Sequence, residues 1–231
     1  MKTNADSIIK KLKSLSDPRA VEGMARFGIN PEKTLGVSIP ALRKLAKETG
    51  GDHEIANRLW KSGIHEARVL ASMIDDPEKV TEKQMEDWVK DFDSWDVCDQ
   101  VSMNLFGETK FAYKKAAEWT KRNEEFVRRA GFAMIAVLAW QDKKEDRDGK
   151  LAKFFPLIKK YSIDDRNFVK KAVNWALRNI GKRNLSMNKK AVETAREISK
   201  IDSKSAKWIA SDAIRELTGK AVLGRLNKLK K

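Results

Sequence analysis

Apolar positions recur at three- and four-residue spacing along almost the whole chain, whereas runs of β-branched residues alternating with polar ones and bounded by turns do not. The pattern predicts an all-α fold. Helix starts are legible as caps: Asp17 before Pro18, Ser38 with Pro40 close behind, and Thr81, which with Gln84 forms a capping box ahead of Met85 and Val89. Gly50-Gly51, Gly63, Gly107, Gly181 and Gly219 each follow an amphipathic stretch and read as left-handed helix stops. Roughly a dozen helices of about 10 to 18 residues result, joined by the short links expected between antiparallel neighbours. The nearly all-charged stretch from Asp142 to Lys150 reads as an exposed inserted loop.

The helices also repeat. Phe126-Val127-Arg128-Arg129-Ala130 returns as Phe168-Val169-Lys170-Lys171-Ala172, an offset of 42, and Lys207-Trp208-Ile209-Ala210 is a weaker third copy after a further 38. Two helices in a period of ~40 to 47 residues mark HEAT or armadillo solenoids. The prediction is therefore a HEAT-like helical repeat solenoid formed by one domain over residues 1–231. Each copy places a basic dipeptide near the start of its second helix, and stacking would line those charges along one concave face.

Composition narrows the partner. Of 231 residues, 48 are Lys or Arg and 33 are Asp or Glu, a net charge of +15 that favours a polyanion. With 41% hydrophobic residues the chain has material for a real core, which argues against disorder. The single cysteine, Cys98, excludes an intramolecular disulfide and a Cys cluster for zinc or iron–sulfur, and points to a reducing cytoplasm. No apolar run approaches the ~18 residues a membrane span requires, and the N-terminus does not read as a signal peptide.

Three clusters are candidates for chemistry. Asp91-Phe92-Asp93-Ser94-Trp95-Asp96-Val97-Cys98-Asp99 sets four carboxylates beside a tryptophan in an otherwise basic chain. If Ser94 caps the following helix, Trp95 and Asp99 share one face a turn apart, with Val97, Val101 and Leu105 on the core side. The plainer alternative has Asp96 complementing the helix dipole and Asp99 pairing with a Lys or Arg. A calcium loop is excluded, since its glycine and terminal Glu are missing. The second cluster is Arg129, at the edge of a helix apolar almost all round from Ala130 to Trp140; a buried salt bridge and a bidentate phosphate clamp both fit it. In the third, Trp175 and Arg178 stand three residues apart, which suits a nucleic-acid surface or an ordinary core tryptophan.

Other residues are assigned elsewhere. Trp60, Trp88, Trp119, Trp140 and Trp208 fall on apolar stripes and read as packing. His53 and His65 are each followed by Glu but lack a second His four residues on, so no metalloprotease helix exists and both read as surface residues. P-loop, dinucleotide and serine-hydrolase motifs do not occur. The basic tail from Lys220 to Lys231 reads as a solvated last helix or a phosphate contact.

Taken in order on a helical-repeat chain, these clusters resemble the DNA alkylation repair family of AlkD-type glycosylases, HEAT-like proteins that remove cationic N3- and N7-alkylated purines. The likeness covers nearly the whole chain. Trp95-Asp96-Val97-Cys98-Asp99 is similar to the family's W-D-x-x-D stretch, which implies Trp95 as aromatic wall and Asp99 as catalytic carboxylate. Arg129 matches the essential Arg, and Trp175 with Arg178 matches the second active-site Trp and the Arg three residues later. Met24-Ala25-Arg26-Phe27, with Gly36 and Pro40 following, is also similar, although close relatives have Tyr where this chain has Phe27. The charged insert after Trp140 lengthens the gap between Arg129 and Trp175.

The resemblance implies a DNA glycosylase that hydrolyses the N-glycosidic bond of 3-methyladenine and 7-methylguanine. Asp99, Trp95, Trp175 and Arg129 would form the catalytic set. Arg178, Phe27, Arg128, Lys170 and Lys171 would bind DNA. A cationic base leaves without an acid, so neither cofactor nor metal is expected. The expected partner is double-stranded DNA containing alkylated bases, bound by a monomer. The competing expectation is a non-catalytic HEAT-like protein that binds damaged or branched DNA.

Overall fold

The computed structural model describes residues 4–142 and 147–228, and among them every regular element is a helix. The chain divides into two compact units, Met1–Lys110 and Phe111–Lys231. In the first lie α1 (Ala5–Ser14), α2 (Pro18–Arg26), α3 (Ile39–Thr49), α4 (His53–Lys61), α5 (His65–Ile74), α6 (Glu82–Lys90) and α7 (Trp95–Asn104), followed by a 3₁₀ turn at Phe106–Glu108. The second holds α8 (Ala112–Trp119), α9 (Glu125–Gln141), α10 (Asp148–Ala152), α11 (Phe155–Tyr161), α12 (Asn167–Gly181), α13 (Leu185–Ser199), α14 (Lys204–Leu217) and α15 (Lys220–Lys228).

In the first unit the caps lie where their chemistry puts them. Asp17 accepts from the amides of Arg19 and Ala20, Ser38 from Ala41 and Thr81 from Gln84, so orphan amides at three helix starts are satisfied. The expected capping box at Thr81 is half made, because the Gln84 amide turns away to donate to Asp75 Oδ2 at 2.7 Å. Gly50 and Gly63 take the left-handed conformation; Gly107, Gly181 and Gly219 do not. Gly107 lies in the 3₁₀ turn and Gly181 inside the last turn of α12. At Gly181 the requirement is space, since a Cβ there would come within 2.6 Å of Leu217 Cδ1.

The second unit carries the repeat. The Phe126 and Phe168 motifs begin α9 and α12, and the Lys207 copy lies in the first turns of α14; each of these helices follows a partner, α8, α11 or α13. Ala130, Ala172 and Ala210, which match one another across the copies, are fully buried, and the Phe126 and Phe168 rings stack at 5.7 Å between centroids. Between Val127 and Ala139 α9 is buried nearly all round, Arg128 excepted, as its apolar sequence demands.

α9 meets the end of α8 with almost no clearance. A Cβ on Gly131 would lie 2.5 Å from the backbone N of Thr120, which cannot move aside as a side chain can. Gly131→Ala is therefore expected to destabilise the protein by about 1–3 kcal/mol, and Gly131→Val by more. Equilibrium denaturation checks this; midpoints matching the wild type would show that the two helices separate at little cost.

The charged insert is only partly a loop: Asp148–Ala152 is helical, and residues 143–146 lie outside the described ones. Asp148 earns that turn by pairing with Arg183 and accepting from Asn184 Nδ2 at 2.6 Å. The basic tail is the helix α15 as far as Lys228, anchored by buried Leu226 and by Arg225, which donates to the Lys182 carbonyl at 2.6 Å. Its last residues, 229–231, lie outside the described ones.

Candidate nucleic-acid interface

The first unit builds its candidate site around a fastened loop. Residues 27–38 link α2 to α3 without regular structure, and four groups from α5 and from residues 93–95 hold them. Glu66, 1% exposed, accepts the amides of Leu35 at 2.8 Å, Gly36 at 2.6 Å and Val37 at 3.2 Å. Three converging N–H donors are what make a buried carboxylate tolerable. Gly36 permits this turn: its φ is +80°, and a Cβ would meet the Asp17 carbonyl oxygen at 2.3 Å. At the other end the Asn30 amide donates to Ser94 Oγ at 2.9 Å, Asn30 Nδ2 donates to Asp93 Oδ2 at 3.0 Å, and Trp95 Nε1 donates to the Phe27 carbonyl at 3.0 Å.

Ser94 thus stands at the N-cap position of α7 but does not cap it, contrary to expectation; its hydroxyl is committed to Asn30. Phe27, whose carbonyl accepts from Trp95, is 76% exposed. Trp95 and Asp99 are half-buried and one turn apart on α7.

The remaining acidic residues of this stretch serve the scaffold. Asp91 accepts from Trp60 Nε1 at 2.8 Å, and the Trp60 ring stacks on Trp88 at 4.0 Å. Asp96 Oδ2 takes His65 Nε2 at 2.9 Å. The expectation of two surface histidines is corrected here, since His65 is buried and His53 is half-buried, with its Nδ1 at 2.6 Å from Asp75 Oδ1. The signal lay in the carboxylates 31 and 22 residues away, which no local pattern marks.

Burial pushes the His65 pKa down, but the Asp96 hydrogen bond and the charges of Asp96, Glu66 and Asp93 outweigh it and leave it above the ordinary 6.5. A folded pKa above the unfolded one stabilises fully below the unfolded value, and that contribution is lost as pH rises through the folded value. The thermal midpoint is therefore expected to fall as pH rises above the ordinary histidine value of 6.5, by about 2–4 °C for each kcal/mol lost. His65→Gln should flatten that limb of the profile; an unchanged limb would assign it to other groups.

In the second unit, Arg129 is 5% exposed and donates from one guanidinium nitrogen to the Phe168 carbonyl at 2.7 Å. Arg128, expected on DNA, works inside the protein. It donates to Thr120 O at 3.2 Å, Asp164 Oδ2 at 2.7 Å and Asn123 Oδ1 at 3.1 Å, with its guanidinium 4.6 Å over the Tyr161 ring. Arg166 grips the same Asp164, so that, although burial opposes it, Arg166 and Arg128 hold this carboxyl below the usual carboxylate range.

α12 and α14 are joined by a polar ladder. Asn174 Nδ2 donates to Asp212 Oδ2 at 2.7 Å, Arg178 pairs with Asp212 at 3.4 Å and also with Glu216, and Lys182 Nζ donates to Glu216 Oε1 at 2.9 Å. Arg178, expected on a phosphate, is thus partly neutralised by two carboxylates. Trp175 is half-buried on α12 and Lys171 is exposed. Lys170 places its Nζ 5.2 Å from the centroid of the Trp208 ring.

Two tryptophans assigned to packing are instead exposed, Trp140 at 59% and Trp208 at 42%; Trp60, Trp88 and Trp119 are buried as expected. Trp140 falls just past Ala139, where the buried segment of α9 ends. Trp208 occupies the repeat position held by Arg128 and Lys170 in the other copies, and none of the three is fully buried.

Among the described residues no helix is long and apolar enough to cross a membrane. No curated protein sequence matches the chain at a significant level. Among solved structures it is similar, at 21% identity and a TM-score of 0.79 over 97% of this chain and 96% of the other, to one from a new family of proteins related to the HEAT-like repeat DNA glycosylases with affinity for branched DNA structures. That likeness identifies the fold as a HEAT-like helical repeat. A designed armadillo repeat protein in complex with the peptide (KR)4 matches at 17% identity and a TM-score of 0.39 over 81% of this chain and 84% of its own. A second designed armadillo protein matches at 17% and 0.38 over 78% and 92%. The sequence profile described as DNA alkylation repair enzyme matches residues 8–217, across both units, and the chain belongs to that family.

Proposed function

We propose that this protein is a DNA N-glycosylase that releases positively charged alkylated purines, 3-methyladenine and 7-methylguanine, from double-stranded DNA. The observation that carries the reading is the half-buried Asp99 one turn from Trp95, beside a loop fastened to present Phe27, in a chain of net charge +15. A carboxylate beside the reacting carbon stabilises positive charge there. Such charge develops on the sugar as the glycosidic bond lengthens.

In the proposed reaction the C1′–N bond breaks and its electron pair neutralises the cationic base, which leaves without a general acid. Water bonds to C1′ and gives up a proton to the surrounding solvent, leaving an abasic site. Asp99 stabilises the oxocarbenium-like sugar and orients that water. The Trp95 face attracts the cationic base or sugar, a contribution of about 0.5 to 2 kcal/mol. In the second unit Trp175, Lys170 and Lys171 are proposed to contact DNA, Arg178 to do so once its hold on Asp212 and Glu216 is loosened, and Arg129, 5% exposed and donating to the Phe168 carbonyl, to hold the start of α12 in place. The test is release of free 7-methylguanine from methylated duplex DNA by the wild type and by Asp99→Asn.

A second reading is binding of branched DNA without excision. The similar solved structure is described as having affinity for branched DNA, which supports the same reading. Wild-type protein that binds forked DNA but frees no base from methylated duplex would establish it over the first.

A further inference from the structure

Trp208 stands partly exposed in the second turn of α14, and Lys170, in the first turn of α12, reaches over its ring. Their contact brings the N-terminal ends of two helices together, so the positive ends of both helix dipoles fall on one surface. Lysines cluster there. Lys204, one turn before Trp208, is exposed, as is Lys171 beside Lys170; Lys207 is exposed and pairs with Asp202 at 2.7 Å. An indole among solvent-facing ammonium groups has no packing purpose on its outer surface, and its charge surroundings complement a phosphate backbone.

We propose that Trp208 is a stacking platform for an unpaired nucleotide of bound DNA, with Lys170, Lys171 and Lys204 holding the flanking phosphates. A paired base inside a duplex has both faces covered by its neighbours. A protein ring can therefore take only a base already out of the stack, at a tail, a frayed end or a branch. Lys170 orients the indole while DNA is absent, and its long side chain can follow the phosphate beside a stacked base. The platform rests on the chain binding DNA but not on excision.

The test compares binding to a blunt unmodified duplex and to the same duplex with a single-stranded tail, by fluorescence anisotropy. The wild type is expected to prefer the tailed DNA, and Trp208→Ala to lose about tenfold in affinity for it while changing less than about twofold on the blunt duplex. Trp208→Phe keeps a ring and should retain most of the preference. Trp140→Ala removes another exposed tryptophan and should leave it intact. Equal affinity of the wild type for both DNAs, equal losses by Trp208→Ala on both, or an undiminished preference in that variant would each overturn the platform. Failure of the wild type to bind either DNA would instead remove the DNA-binding reading on which it rests.

Discussion

Asp99→Asn is expected to lower release of 7-methylguanine from methylated duplex DNA by at least about a hundredfold while leaving the fold and DNA affinity in place. The substitution keeps the shape of the side chain, removes its charge and turns one acceptor oxygen into an NH₂ donor. A neutral amide cannot stabilise a cationic sugar as a carboxylate does, and loss of one such preorganised electrostatic contact commonly slows catalysis by about 10²–10³. Binding should hold or tighten, because a negative charge facing phosphates is gone. Asp96→Asn is the control with the opposite signature. It weakens the His65 contact and should lower the thermal midpoint. If Asp99→Asn excised the base as fast as the wild type, Asp99 would be a structural residue and only the binding reading would stand.

Helix caps and the repeat phase, which depend on near neighbours, were legible in the sequence, whereas the left-handed stops expected at Gly107, Gly181 and Gly219 did not occur. Asp17, Ser38 and Thr81 act on amides two or three residues away, and the repeat phase that relates Ala130, Ala172 and Ala210 is a local apolar pattern copied at a fixed spacing. What else escaped was set by partners far along the chain. Ser94 resembles any helix cap until Asn30, 64 residues away, claims its hydroxyl. Arg178 resembles a phosphate ligand until Glu216, 38 residues on, takes the guanidinium. Trp208 resembles a core residue because its neighbours Ile209 and Ala210 are buried, yet one position on a helix is a turn of 100° and carries a side chain from core to solvent. Trp95 and Asp99 were readable as residues one turn apart on a helix, but the loop pinned to that helix was not.

Glu66→Ala tests that pinning. The carboxylate accepts three consecutive amides, from Leu35 to Val37, and no water-exposed group can replace it at a position 1% exposed. Each buried donor left unsatisfied costs about 1–3 kcal/mol, so a loss of about 3 kcal/mol or more is expected, or about 6–12 °C in thermal midpoint. Glu66→Gln keeps one acceptor oxygen but turns an NH₂ toward the same amides, and should fall between. Hydrogen exchange separates this from a general loss of stability: in Glu66→Ala the amides of residues 35–37 should lose protection well beyond those of α6. Ser94→Ala should instead expose the amide of Asn30 and leave 35–37 protected. If the loop positions Phe27 for DNA, both variants should weaken base excision more than their stability losses explain at a temperature where each remains folded. If exchange at residues 35–37 does not change in Glu66→Ala, the loop is held by its own turns and by Asp17, whose amide donates to the Leu35 carbonyl at 2.8 Å, and Glu66 is then a buried charge tolerated rather than used.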